Sequence, residues 1–270
     1  MASAPAGRRS SELHRRLASA FWFLVPFVAL AVIWAVVVEA TGVESRIFPQ
    51  ITEVAAAFAD MWSSGDLALH VGASLRRVLI GSVVAVVTAI PFGIALGASR
   101  VASVFFSPLL RFSVALAGIA WIPLATLWLG FGDRAVIFIV WNAMFFALTY
   151  NAMLGVQQIP TELLRAARSM GASRPRMFAE VLLPGAMPAI VTGLRVGLGY
   201  GWRGMVAAEI IATNAGLGYS IFLAQRFFRT DIIITGMVII GVLWLVTDRL
   251  LLAPLERRTI ERWGMKAVIS

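Results

Sequence analysis

The chain has 270 residues, 60% of them hydrophobic and only 14% charged, with a mean hydropathy of +0.86. That is too apolar for a soluble domain and fits a chain that crosses a membrane several times. The formal charge of +9 is spread between apolar segments, which suits loops facing anionic lipid rather than a nucleic-acid surface, and the lack of cysteine excludes disulfides, thiol catalysis and cysteine-based metal sites.

Residues 1–19 form a polar tail carrying Arg8, Arg9, Arg15 and Arg16. The apolar run over 21–38 is longer than a signal-peptide core, and Glu39-Ala40-Thr41 is a poor cleavage site, so it reads as a first membrane span. Residues 51–62 are too short to cross, since a span needs about 20 residues. Ile51, Val54, Ala55, Phe58 and Met61 or Trp62 share one side of this stretch, as expected for an outer-surface helix or a packing helix. Further spans are predicted over 74–97, 104–129, 135–156, 189–212 and 233–253. The expected layout is therefore a cytoplasmic tail (1–19), an all-α, six-span domain (20–254) and a second cytoplasmic tail (255–270). His14 and His70 stand alone and are expected at the surface.

Two spans carry polar side chains that lipid would not tolerate. Asn142 and Thr149 are seven residues apart on one face of the fourth, with Tyr150 and Asn151 nearby, and either bond to another helix or line a polar path. In the fifth, Gly193, Gly197 and Gly201 recur every four residues, a stripe that lets another backbone approach closely. Arg195 and Arg203 lie on a different stripe and need an acidic partner, such as Glu209 or a residue of another helix, or a wet path.

Between these spans lies a polar island over 160–184. A first short helix is expected from 162 to 170, with Glu162 in its first turn and Leu163, Leu164, Ala167 and Met170 on one face. Gly171 fits the position after a helix end, Ser173 can cap a second helix with Met177, Phe178, Val181 and Leu182 as its apolar stripe, and Pro184 and Pro188 are expected to close the island. Arginine clusters in the N-terminal tail, in this island and in the C-terminal tail put all three on one side, with both termini cytoplasmic.

No G-x-x-x-x-G-K-[ST] loop is present, and the single lysine, Lys266, is in the tail, so the chain has no standard ATP site. No nucleophile–base set or metal cluster appears either, so no catalytic or metal residue is assigned. An ion-coupled secondary transporter is the alternative; it calls for acidic residues within the spans, where only Glu209 and Asp248 qualify.

Arg165-Ala166-Ala167, three residues, Gly171, nine residues, then Val181-Leu182-Leu183-Pro184 resembles the cytoplasmic EAA loop of permease subunits of binding-protein-dependent ABC importers. Arg165 stands where that family has Glu, with Glu162 one turn earlier. Pro123 to Gly132, Gly216-Leu217-Gly218-Tyr219 and Thr230-Asp231 resemble the nitrate/sulfonate/taurine branch. The resemblance implies a type I importer permease fold and an inner-membrane permease for a small anion, not an enzyme. The implied partners are a second copy of the chain, two ATPase subunits that bind ATP and Mg, and an extracytoplasmic binding protein. It further implies that Glu162, Leu163, Leu164, Arg165, Ala166, Ala167, Gly171, Ala172 and Phe178 engage the ATPases. Asn142, Thr149, Arg195, Arg203 and Glu209 are the candidates for the translocation path.

Overall fold

In a computed structural model, residues 7–116 and 118–260 are described, with side chains from Phe21 to Glu256 except Phe23, Leu24 and Ala117. The regular elements among them are all helical: α1 (Gly7–Thr41), α2 (Ile51–Ser63), α3 (Asp66–Ala98), α4 (Arg100–Ala115), a 3-10 turn (Gly118–Trp121), α5 (Ile122–Leu129), α6 (Asp133–Gln157), α7 (Thr161–Ser169), α8 (Arg174–Met177), α9 (Leu183–Ala212), α10 (Leu217–Arg226), α11 (Thr230–Thr247) and α12 (Ala253–Ile260). Residues 1–6 and 261–270 of the expected tails, and the side chain of His14, lie outside the described residues. Residues 7–19 of the expected N-terminal tail are helical and run straight into the first apolar segment as part of α1.

Among the described residues, four continuous helices are long and apolar enough to cross a membrane: Asp66–Ala98, Asp133–Gln157, Arg174–Ala212 and Thr230–Glu256. The expected third span is not one helix. Its two limbs, α4 and the 3-10 turn with α5, meet at 92°, making at most a fifth, broken crossing. Leu116 leaves the helical region (ψ 109°), and Pro123, which lacks an N–H, starts α5 where none is needed. The described apolar part of α1 is Val25–Thr41.

Pro184 and Pro188 also depart from expectation. They do not end the island, because α8 runs through a π-helical turn (Phe178–Leu182) straight into α9. In that turn the N–H of Leu183 reaches back five residues to the carbonyl of Phe178, and the wider winding takes up the register change that the Pro184 ring imposes. The same device recurs where α11 passes through a π turn (Asp248–Leu252) before Pro254. Both prolines sit two residues beyond a π turn.

The core is built on α6, which lies between α3 and α9. Val136, Ile139, Val140, Met144 and Leu148 of α6 are buried. The predicted glycine stripe of α9 faces this helix: a Cβ at Gly193 would stand 2.5 Å from Cβ of Asn151, and one at Gly201 would stand 3.1 Å from Cγ of Met144. On the other flank, Gly93 and Gly97 of α3 meet Ala152 and Val156 equally closely. Without a hydrophobic drive between helices in lipid, such close approach and its dispersion contacts hold the bundle. The helix α2 rests on α11 and α3 through Ala57 and Met61; of the apolar residues expected to share one side, Met61 is buried and Val54 half-buried, while Ile51, Ala55 and Phe58 are exposed.

A buried ionic knot closes the ends of α3, α6 and α9. Arg77, on α3, pairs with Glu209 of α9 (Nη1–Oε1 2.6 Å) and with Asp133 at the start of α6 (Nη2–Oδ1 2.7 Å). Ser74 donates to both oxygens of Glu209 at 2.9 Å and accepts from the Leu217 N–H; Glu209 also accepts from the Gly218 N–H. Arg76 joins through Asp133. Gly216, at φ +125°, and Gly218 lie so close to α9 that a Cβ on either would strike Glu209 or the Val206 carbonyl. His70 is not a lone surface residue: it is half-buried, and its Nδ1 accepts from the Gly216 N–H at 3.1 Å.

Removing one member of a buried pair strands the other charge, at a cost of about 3–5 kcal/mol. Glu209→Ala is therefore expected to lower the melting temperature in detergent strongly, and Glu209→Gln, which keeps an acceptor for Ser74 and Gly218, less. Thermal unfolding followed by tryptophan fluorescence checks this; wild-type melting of Glu209→Ala would contradict it.

Candidate functional site

Two places carry the residues singled out from sequence. The first is the turn between α6 and α9. Here α7 ends in a Schellman cap: the Ala172 N–H bonds to the Ala167 carbonyl and the Gly171 N–H to that of Arg168, with Gly171 at φ +76°. A Cβ on Gly171 would meet no atom within 4 Å, so only its backbone conformation demands glycine. Ser173 occupies the cap position of α8, but its side chain makes no capping bond.

The expected apolar face of α7 divides. Ala167 is buried and Leu164 packs beside Ile159 and Leu182 of the bundle, whereas Leu163 and Met170 are 56% and 81% exposed. Leu164 and Ala167 therefore seat α7 on its own chain, and Leu163 and Met170 point away from it. Glu162, Arg165, Ala166 and Gly171 are exposed as well; Ala172 and Phe178 are half-buried. The loop thus offers a short ridge of exposed apolar and charged side chains on a rigid base.

The second place is a cavity of about 320 Å³ between the end of α4, the 3-10 turn, α6 and α9. Asn142 and Arg203 both line it, as do Ser113, Tyr200, Ile119 and Phe146. Arg203 makes no ion pair or hydrogen bond with any described residue, although its helix position puts it about 14 Å from the Ala212 end of α9.

The other path candidates are placed elsewhere. Arg195 pairs with Asp248 (3.0 Å) and Glu256 (2.8 Å), tying α9 to α11 and α12. Glu209 is fully buried in the Arg77 knot, and its partner is on α3 rather than on α9. Thr149 is buried against α3, with its hydroxyl 3.5 Å from the Ala89 carbonyl. Only Asn142 and Arg203 of the five share a cavity.

Sequence reasoning missed Ser113, Tyr200 and the Arg77–Ser74–Asp133 knot. The Gly-Leu-Gly stretch at 216–218 was a usable signal for the knot, since glycines so spaced invite a close approach. Gly130 (φ +77°) and Gly132 (φ +122°) similarly shape a turn whose Gly132 N–H bonds to the Ala212 carbonyl at 2.7 Å.

Residues 89–259 match the family described as binding-protein-dependent transport system inner membrane component. The chain is 38% identical over 189 residues to the taurine transport system permease protein TauC of Escherichia coli, covering 70% of this chain and 68% of that one. It is 32% identical over 243 residues to a putative aliphatic sulfonates transport permease protein, SsuC, of the same organism, covering 90% and 91%. To the nitrate import permease protein NrtB of a Synechocystis species it is 31% identical over 183 residues, covering 68% and 66%. Among solved structures, an inward-facing form of the MetNI methionine ABC transporter superposes with a TM-score of 0.52 at 20% identity, covering 69% of this chain and 94% of that one; it shows a shared fold. The chain belongs to the family of inner-membrane components of binding-protein-dependent transport systems, and is a multi-pass permease subunit of the ABC importer type.

Proposed function

We propose that this permease moves a small anion inward as a homodimer, with two ATP-binding cassette subunits on the cytoplasmic side and a soluble binding protein outside. The observation that carries the anion is Arg203, a cation within a membrane helix that has no counter-ion among the described residues and borders a cavity. A charge so placed costs several kcal/mol unless paired or wetted, so it needs a charged visitor or a water-filled path. Relatives named for taurine, aliphatic sulfonates and nitrate support the same choice.

Coupling runs through α7. The exposed Leu163 and Met170, with Glu162, Arg165 and Ala166 around them, enter a groove of the ATPase, while Leu164 and Ala167 hold α7 to the bundle. Gly171 and Ala172 form the joint, and Phe178, in the π turn, belongs to the rigid body of α8 and α9 that takes up the motion. When ATP draws the cassettes together, each α7 is carried with its cassette, and the two permeases rock between inward-open and outward-open states. The ion-coupled alternative loses its coupling groups, because Glu209 and Asp248 are both held by arginines.

The joint has a clear test. Gly171→Val forces a β-branched residue into a left-handed conformation, at a cost of about 1–2 kcal/mol. That is small against folding but large for the angle between α7 and α8. The variant is expected to insert normally and to lose binding-protein-stimulated ATPase activity in liposomes. Gly171→Asn, which accepts the conformation, retains most of it. Full stimulation of Gly171→Val would reject the coupling role.

Orientation is tested by labelling single cysteines. Ser173→Cys should react with an impermeant maleimide only in inverted vesicles, and Asn214→Cys only in intact cells or spheroplasts. The reverse pattern would overturn the arginine-based topology.

A further inference from the structure

The cavity beside Arg203 has a composition that narrows its occupant. Asn142 and Ser113 are each less than a tenth exposed, both line the cavity, and neither side chain has a hydrogen-bond partner among the described residues. Their polar atoms are nonetheless open rather than sealed, so a solute or water entering the cavity can bond them. Together with Arg203 they form a set of donors: a guanidinium fork, an amide and a hydroxyl. Among the described residues, no carboxylate borders the cavity. The remaining wall is apolar, with Ile119 and Phe146 contributing large side chains. Its volume, about 320 Å³, is at the lower end of the range of roughly 300–1,000 Å³ usual for small-molecule sites.

We propose that this cavity is a solute subsite for a singly charged organic oxyanion with an uncharged, apolar tail. This rests on the importer reading given above and deepens it. The oxyanion takes the Arg203 fork and the Asn142 amide, with Ser113 completing the donor set, and the tail lies on Ile119 and Phe146. Charge-assisted, bidentate bonds from arginine are the strong ones, so Arg203 supplies most of the affinity. A zwitterion such as an aminosulfonate meets the same donors, but its ammonium group finds no carboxylate and loses its water. A bare inorganic anion such as nitrate fills the donor set and leaves the apolar wall uncovered. The subsite therefore discriminates by what the tail carries, and not by the oxyanion alone.

The test uses the purified permease dimer in nanodiscs and isothermal titration with four probes: benzenesulfonate, benzoate, taurine and nitrate. Benzenesulfonate and benzoate are expected to bind about tenfold or more tightly than taurine and nitrate. Arg203→Gln should weaken benzenesulfonate binding by about tenfold or more, and Arg203→Lys by less, since the charge stays and the fork is lost. Asn142→Leu should weaken it several-fold with an unchanged melting temperature, which separates loss of a donor from loss of fold. Equal affinity for taurine, undiminished binding by Arg203→Gln, or no binding of the two aromatic anions by the wild type overturns the subsite. ATP-driven uptake by the reconstituted complex is measured alongside: uptake that persists while these binding results fail rejects the subsite alone, whereas no ATP-driven uptake of any anion rejects the importer reading itself.

Discussion

The contact on which the rest of the structure depends is the backbone-to-backbone approach of α9 to α6. Gly193, Gly197, Gly201 and Gly204 line the seam, and a side chain at Gly193 or Gly201 would stand closer than van der Waals contact to Asn151 or Met144. In lipid, where burying an apolar surface against another helix gains little over burying it against acyl chains, this proximity supplies the dispersion energy. It also fixes rotation. Once the glycine stripe faces α6, the other faces of α9 are assigned, and with them the surroundings of Arg195, Arg203 and Glu209.

Those three ionisable residues on one helix show how location decides role. Arg195 meets Asp248 and Glu256, Glu209 meets Arg77, and Arg203 meets no described counter-ion. The first two stitch α9 to its neighbours at separate heights, one to α11 and α12, the other to α3 and the start of α10. Between those stitches lies the cavity. The helix from Arg174 to Ala212 has 39 residues and is about 58 Å long at 1.5 Å per residue. A single element thus joins the loop proposed to meet the ATPase, the cavity proposed to meet solute, and the ionic knot at its far end.

Much of this was legible in the sequence where the signal was periodic or local. The glycine stripe showed itself by its four-residue spacing, Gly171 by its place after a helix, and the island by its family spacing. What was hidden depended on partners distant in the chain. Glu209 could not be matched with Arg77, because 132 positions separate them and several arginines were equally available. Leu163 and Leu164 are neighbours, and periodicity over nine residues could not say which faces the bundle. Pro184 and Pro188 misled because a proline ordinarily ends a helix; the π turn ahead of Pro184 that lets the chain continue has no mark in the residue pattern alone.

The central claim is that α8 and α9 move as one body between the cytoplasmic loop and the far end of the bundle. The direct measurement is electron–electron distance between nitroxides at Ser173→Cys and Asn214→Cys within one chain, in dimers carrying a single doubly labelled copy, with and without ATP trapped in the cassettes. The account predicts a within-chain distance unchanged to about 2 Å, while the distance between Ser173→Cys labels on the two copies shifts by several ångströms. A within-chain distance that changes as much as the between-chain one would show that the helix bends at its π turn, and would contradict the account.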